Sequence, residues 1–395
     1  MSRSEVITGQ NVSTTKLTSL PFLAICIINL FTAVSFFHFY IYPQILRNFG
    51  MSESEIGIAM STAYASSIVG YPLMARVIRS IGVKATVNCG LLIMAVSSLV
   101  LSNLSTLGPI LLVRFFQGLG MAAVLSSTNI LVAAVIDRAR LAQALAVYGA
   151  FFVIGQSVGP LVATIGRDVQ EGAAWFFVSS AAVAVAAIPI SYAIPNVPVK
   201  FPSNEHENVI STWIKSIDLL ICTCLVSAVF GALTSLLADY ATLLGRSNAT
   251  NEFFLGFLIC SLTARFGAGR LFDTLKPHMV VTLGSLAGGL AAAALLFGYH
   301  VWAFWTAGIL AGLSNSLCYP ILQALLIDRL TDKISAVSAS RMTVSIGLAG
   351  GSIAGGVVAE IGGYSIFLIV FAILAIVPAA IVRSSRTAER ISFMK

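Results

Sequence analysis

The feature that most constrains this chain is a succession of apolar runs broken by short polar loops. A helix of about 20 apolar residues matches the hydrocarbon thickness of a bilayer. Runs of that order occur at 21–45, 55–78, 85–104, 109–136, 141–165, 173–194, 217–244, 253–272, 279–299, 301–327, 334–359 and 364–382. The chain is 57% hydrophobic and only 10% charged, whereas soluble domains carry about 25% charged residues. There is too little polar surface to cover a water-soluble globule. The expected fold class is an all-α polytopic membrane protein with twelve transmembrane helices.

Charge placement orients the chain. It holds 23 Lys and Arg residues and a net charge of +7. An even number of spans puts both termini on one side. Loops on the opposite side then hold only Arg47, Arg167 and Arg246, Arg114 lies inside a span, and the other 19 fall on the terminal side. Short cytoplasmic loops are the ones enriched in Lys and Arg. Both termini are therefore expected in the cytoplasm, with the protein in a bacterial inner (plasma) membrane. This distribution explains the basic balance without nucleic acid. Residues 1–19 are polar and lack a short apolar core with a small-residue cleavage site, so they read as a cytoplasmic tail. The six cysteines, Cys26, Cys89, Cys222, Cys224, Cys260 and Cys318, all fall in apolar runs and read as small packing residues.

A long polar stretch at 195–216, with Pro195, Pro198, Pro202, Glu205 and Glu207, falls near the middle. It reads as a cytoplasmic linker between bundles at 20–194 and 217–383, with a tail at 384–395. The twelve residues from Gly155 to Gly166 match those from Gly351 to Gly362 at six positions, and Ile136-Asp137-Arg138 recurs as Ile327-Asp328-Arg329. A repeat of this kind implies six spans plus six, with a substrate path between the halves.

Arg114 stands inside the run 109–136. A guanidinium does not lose its proton in a protein, and placing it near a bilayer centre costs at least ~2.5–3.5 kcal/mol. Arg114 must either face a wet cavity or brace the bundle through carbonyls. In Arg114-x-x-Gln117-Gly118-x-Gly120 the first two side chains share a helix face, and the glycines permit close helix approach. A second pattern, Gly155-x-x-x-Gly159-Pro160, makes a flat packing face with a proline that bends the helix. Basic loops follow the second span (Arg79, Gly82, Lys84) and the eighth (Arg265, Gly269, Arg270, Asp273). They either latch helix pairs together or simply mark the cytoplasmic side.

Asp239, near the extracytoplasmic end of the seventh span, is either a buried carboxylate able to carry a proton or a solvated helix end. His38, in an aromatic run, either packs or titrates. Asn29, Asn129, Gln156, Asn315 and Gln323 either line the path or bond between helices. Tyr319-Pro320 is a candidate kink in a gating helix.

Together these residues resemble the major facilitator superfamily over most of the chain. The Arg114 pattern is similar to that family's fourth-span motif for proton relay. Gly155-x-x-x-Gly159-Pro160 resembles the fifth-span motif of its drug–proton antiporters, although Ala163 and Thr164 replace the usual paired glycines. The loop after the second span departs further, with Arg79-Ser80 where Asp-Arg is usual. The resemblance implies proton-coupled export of a small organic molecule by alternating access, with Arg114, Gln117, Asp239 and His38 as coupling or cavity residues. The alternatives are a symporter importing an organic anion or sugar, and a transporter-like sensor without flux. No phosphate loop, His/Cys metal cluster or supported Ser/His/Asp set occurs. The expectation is no enzyme activity, metal or cofactor, a proton gradient as energy source, and a monomer whose partners are substrate, protons and lipid.

Overall fold

Backbone in hydrocarbon must satisfy its own N–H and C=O groups, and a helix does so within one segment. The computed structural model describes residues 17–136, 140–165, 172–194, 216–266, 275–329 and 333–384, and among these all regular structure is helical. The helices are α1 (Leu20–Phe37), α2 (Tyr42–Asn48), α3 (Glu53–Ile81), α4 (Val83–Leu101), α5 (Leu107–Val135), α6 (Leu141–Thr164) and α7 (Gly172–Ile190). After the middle of the chain come α8 (Ile217–Leu243), α9 (Ala249–Phe266), α10 (Pro277–Leu295), α11 (Val301–Arg329), α12 (Lys333–Leu374) and α13 (Val377–Ser384). A 3-10 turn at His38–Ile41 joins α1 to α2.

Local chemistry sets the ends. Gly50, at φ +80°, closes the turn after α2. Ser52 and Glu55 then form a capping box that starts α3, the Ser52 N–H donating to Glu55 Oε2 at 2.9 Å. Two reciprocal bonds satisfy donors that a helix start would otherwise leave bare. Gly82, at φ +86°, reverses the chain between α3 and α4, a conformation open essentially to glycine alone.

Among the described residues, nine helical stretches are long and apolar enough to cross a bilayer. One of them, α12, is two helices merged across Gly363 (φ 72°, ψ 171°), and Phe367 folds back to within 3.1 Å of where a Cβ on Gly355 would stand. The expected span at 55–78 coincides with α3, and the one at 253–272 with α9 as far as Phe266. The central stretch 195–215, the Asp137-Arg138 pair, and Gly269, Arg270 and Asp273 lie outside the described residues.

Helices α1–α7 pack with one another, as do α8–α13. Glycine makes the tightest crossings. Gly118 turns its bare Cα onto the Ala63 carbonyl of α3, while Gly120 faces Gly90 of α4, so α5 is wedged between two helices. Gly155 and Gly159 lay α6 on the Leu30 and Val34 carbonyls of α1. In the second half Gly351 and Gly355 set α12 on Ala228 and Ala232 of α8, so the matched segments make matched contacts. Pro160 and Pro320 lie inside α6 and α11.

A branched side chain at Gly118 would have to displace the Ala63 backbone. Gly118→Val is expected to cost about 1–3 kcal/mol or more by overpacking and to lower the melting temperature in detergent. Gly108→Ala, in open space near the start of α5, is expected to leave it unchanged or slightly raised.

Candidate functional site

Arg114 is the largest fully buried side chain, 1% exposed. Its Nε donates to the Ala59 carbonyl at 3.4 Å and its Nη1 to Gln117 Oε1 at 2.5 Å. The guanidinium lies over the Phe39 ring at 4.9 Å and the Phe36 ring at 5.9 Å. Such faces attract a desolvated cation. The chain of polar groups continues: Gln117 Nε2 donates to Ser98 Oγ at 3.3 Å, Ser98 meets Ser180 at 3.0 Å, and Ser180 meets Ser35 at 3.2 Å. Helices α1, α3, α4, α5 and α7 are thus tied through one buried network, all within the first half. The spacing of Arg114 and Gln117 announced their shared face; the serines that extend it carried no such signal. No ion pair among the described residues involves Arg114.

The carboxylate that a guanidinium does meet is Asp239, and the partner is Arg47. Arg47 Nε donates to Asp239 Oδ1 at 2.8 Å and Nη2 to Oδ2 at 2.6 Å. Asp239 is 0% exposed, which excludes the solvated helix end. Tyr364 also donates to Asp239 Oδ2, and Arg47 Nη2 reaches Glu53 Oε1 at 2.7 Å. The sequence placed Arg47 in a loop. The structure places it on α2, which continues the first span and turns the side chain across to α8. A paired fork of this kind is strong and directional. Around it the halves touch closely. Gln44 donates to the Ala238 carbonyl at 3.0 Å, the Ser54 N–H to Glu360 at 2.9 Å, and Asn251 to Thr164 at 3.0 Å. Gly356 admits the Glu53 backbone, and Gly57 the Ser352 carbonyl.

At the opposite end fewer contacts join the halves among the described residues. Arg341 Nη2 donates to Asn129 Oδ1 at 3.2 Å across the halves. Arg265 Nη1 lies 3.1 Å from where a Cβ on Gly149 would stand. The Nε of each arginine is buried without a partner among the described residues.

The remaining candidates scatter. His38 is buried inside the first half, its Nε2 3.2 Å from Ser179 Oγ and its ring tilted over Phe176 at 4.7 Å. Asn29 donates to the Tyr148 carbonyl at 2.9 Å. Gln156 donates to Tyr40 Oη at 3.4 Å, and Tyr319 to Ser227 Oγ at 3.0 Å. Asn315 and Tyr319 line a small cavity in the second half. Gln323 is half-buried on α11. Gly82 and Lys84 stay within the first half, with Lys84 Nζ 5.9 Å from the Tyr192 ring centre, and Arg79 is exposed on α3.

The chain matches the sequence model of the Major Facilitator Superfamily at residues 23–330 and again at 219–392. It is 22% identical over 311 residues to a multidrug resistance protein, MdtG, of Proteus mirabilis, covering 74% of this chain and 77% of that protein. It is 24% identical over 329 residues to a staphylopine export protein of Staphylococcus aureus, covering 78% and 80%. The fold is similar to the nucleoside transporter NupG, with a TM-score of 0.75 at 14% identity over 92% of this chain and 99% of that one. It is similar also to the human organic anion transporter MFSD10, with a TM-score of 0.68 at 16% identity, covering 92% and 99%. Two helical halves with matched glycine crossings and a family match spanning nearly the whole chain agree: this integral membrane protein belongs to the Major Facilitator Superfamily of transporters.

Proposed function

We propose that the protein is a secondary active transporter that exports a small organic molecule by alternating access, in exchange for protons. One observation carries the reading: a fully buried carboxylate of the second half, Asp239, is held by a guanidinium of the first, Arg47. With both termini in the cytoplasm, as the Lys/Arg distribution implies, this closure lies on the extracytoplasmic side of a plasma membrane. Relatives whose names denote multidrug resistance and export support the direction.

In this reading Asp239 is the proton carrier. A proton on Asp239 removes the negative charge that draws Arg47 across. Arg47 keeps its bond to Glu53 in its own half, so parting the halves does not strand the cation. Asp239 then meets water and exchanges its proton. Arg114, satisfied within the first half, acts as a brace that moves with that half. His38 packs away from the closure and takes no part. No cofactor is required, because the proton gradient supplies the energy. The protein works as a monomer in lipid.

A second reading is import of an organic anion. Arg265 and Arg341, whose Nη atoms reach the first half and whose buried Nε atoms have no partner among the described residues, favour it. Counterflow of labelled carboxylates against cationic dyes separates the two. The primary test is transport of a panel of neutral and cationic dyes into inside-out vesicles with and without an imposed pH gradient. Gradient-dependent uptake is expected, and uptake indifferent to the gradient removes the coupling.

The closure itself is open to test by a double-mutant cycle. Removing one partner of a buried pair costs about 3–5 kcal/mol. Arg47→Gln and Asp239→Asn are each expected to favour opening at that end. A cysteine placed at Asn251 should then react faster with a membrane-impermeant maleimide. The double variant should react no faster than the faster single one, because both changes remove the same interaction. Additive rates would show that the two residues do not act as a pair.

A further inference from the structure

Between the Arg47 closure and Arg341 the halves meet on rings and hydroxyls. Tyr40, on the 3-10 turn of the first half, stacks on Phe254 of α9 in the second, with ring centres 5.3 Å apart and planes at 12°. The Tyr40 hydroxyl accepts from Tyr64 at 3.3 Å and from Gln156 at 3.4 Å. Both distances lie at or beyond the long end of the ordinary range. These polar groups hold one another weakly and lose little on changing partner. In the second half, Phe230, Ser285, Asn315 and Tyr319 line a small cavity.

The Arg114 guanidinium of the first half stands behind the Phe36 ring, which packs edge-on against Tyr64. Its bonds go to Ala59 and Gln117 rather than to Tyr40, Tyr64 or Gln156. Near-parallel aromatic faces from two bodies that must separate form a slot when they part. A flat solute satisfies both faces, and hydroxyl and amide groups satisfy its polar edge.

We infer that the transported solute is recognised as an uncharged planar ring, bound between Tyr40 and Phe254 with its polar edge on Gln156 and Tyr64. The inference rests on the transporter reading and narrows its substrate class. Stacking supplies affinity without a charge partner. The Gln156 amide and Tyr64 hydroxyl then favour solutes with a hydrogen-bonding edge over plain hydrocarbons, since a buried polar group left unpaired is costly.

The test uses the full chain in detergent and three probes sharing one ring: nicotinamide (neutral), nicotinate (anionic) and N-methylnicotinamide (cationic). Nicotinamide is expected to raise the melting temperature most. Tyr40→Ala and Phe254→Ala are each expected to weaken its binding about tenfold, equivalent to ~1.4 kcal/mol. Tyr40→Phe, which keeps the ring, should retain most of the affinity. Ligand-free melting curves of the variants separate lost binding from lost folding. Preference for either charged probe, binding unchanged in Phe254→Ala, or no binding of any probe overturns the inference. Gradient-driven flux together with a charged-probe preference would overturn this inference alone and leave the transporter reading intact.

Discussion

The structure depends on housing charges that lipid cannot accept. A bare carboxylate at 0% exposure is untenable in an apolar bundle, and Asp239 is tenable only because Arg47 and Tyr364 reach it from other spans. The two halves therefore cannot separate at this end without changing the state of that carboxylate. Other ionic groups are satisfied more locally. Arg329 pairs with Asp218 at 2.6 Å inside the second half, and Arg114 is enclosed by a carbonyl, an amide and two rings inside the first. Among the described residues, Arg47–Asp239 is the one ion pair that joins the halves, so its charge satisfaction is a property of how they stand to one another.

That pair grows out of the repeat. Arg47 and Glu53 are six residues apart and bonded; Arg246 and Glu252 are six apart and bonded as well, at 3.1 Å. Ser67 donates to the Gly118 carbonyl as Ser261 does to that of Gly312, over the same sequence separation. The two arginines then diverge. Arg246 completes its bonds on the Gly298 and His300 carbonyls of its own half. Arg47 crosses to Asp239. Arg114 is one-sided too: the same offset that relates Gly118 to Gly312 brings it to Gly308, whose bare Cα packs against the Phe253 carbonyl. The halves share a scaffold of glycine crossings and differ in where charge was placed on it.

This explains what the sequence revealed and what it did not. The glycine faces and the Arg114–Gln117 contact depend on spacings of three or four residues within one span, and such spacings are visible in a string. The closure depends on residues 192 positions apart, on separate bodies, and no local pattern links them. Arg47 looked like a loop cation because the short α2 follows a 3-10 break that apolar periodicity does not register. The recurring six-residue Arg-to-Glu spacing was the available signal. His38 and Asn29 show the reverse limit. Polar residues in spans advertise a need for partners, but not whether those partners belong to the same half or the other one.

Among the described residues the two ends are unequally satisfied, and in the proposed mechanism the inequality gives the molecule a direction to move in. At the Arg47 end, ion pair, amide and backbone contacts join the halves, and glycines 57 and 356 let backbones touch. At the other end Arg341 donates to Asn129 across the halves, and the Nε atoms of Arg265 and Arg341 have no partner among the described residues. Loss of contacts at the first end can be offset by completing those at the second. Because the helices within each half are locked by glycine-to-carbonyl crossings, the alternation proposed above is carried by rotation of one half against the other rather than by bending within either. In that proposal, protonation of Asp239 weakens the Arg47 end and shifts the balance toward the contacts at the other.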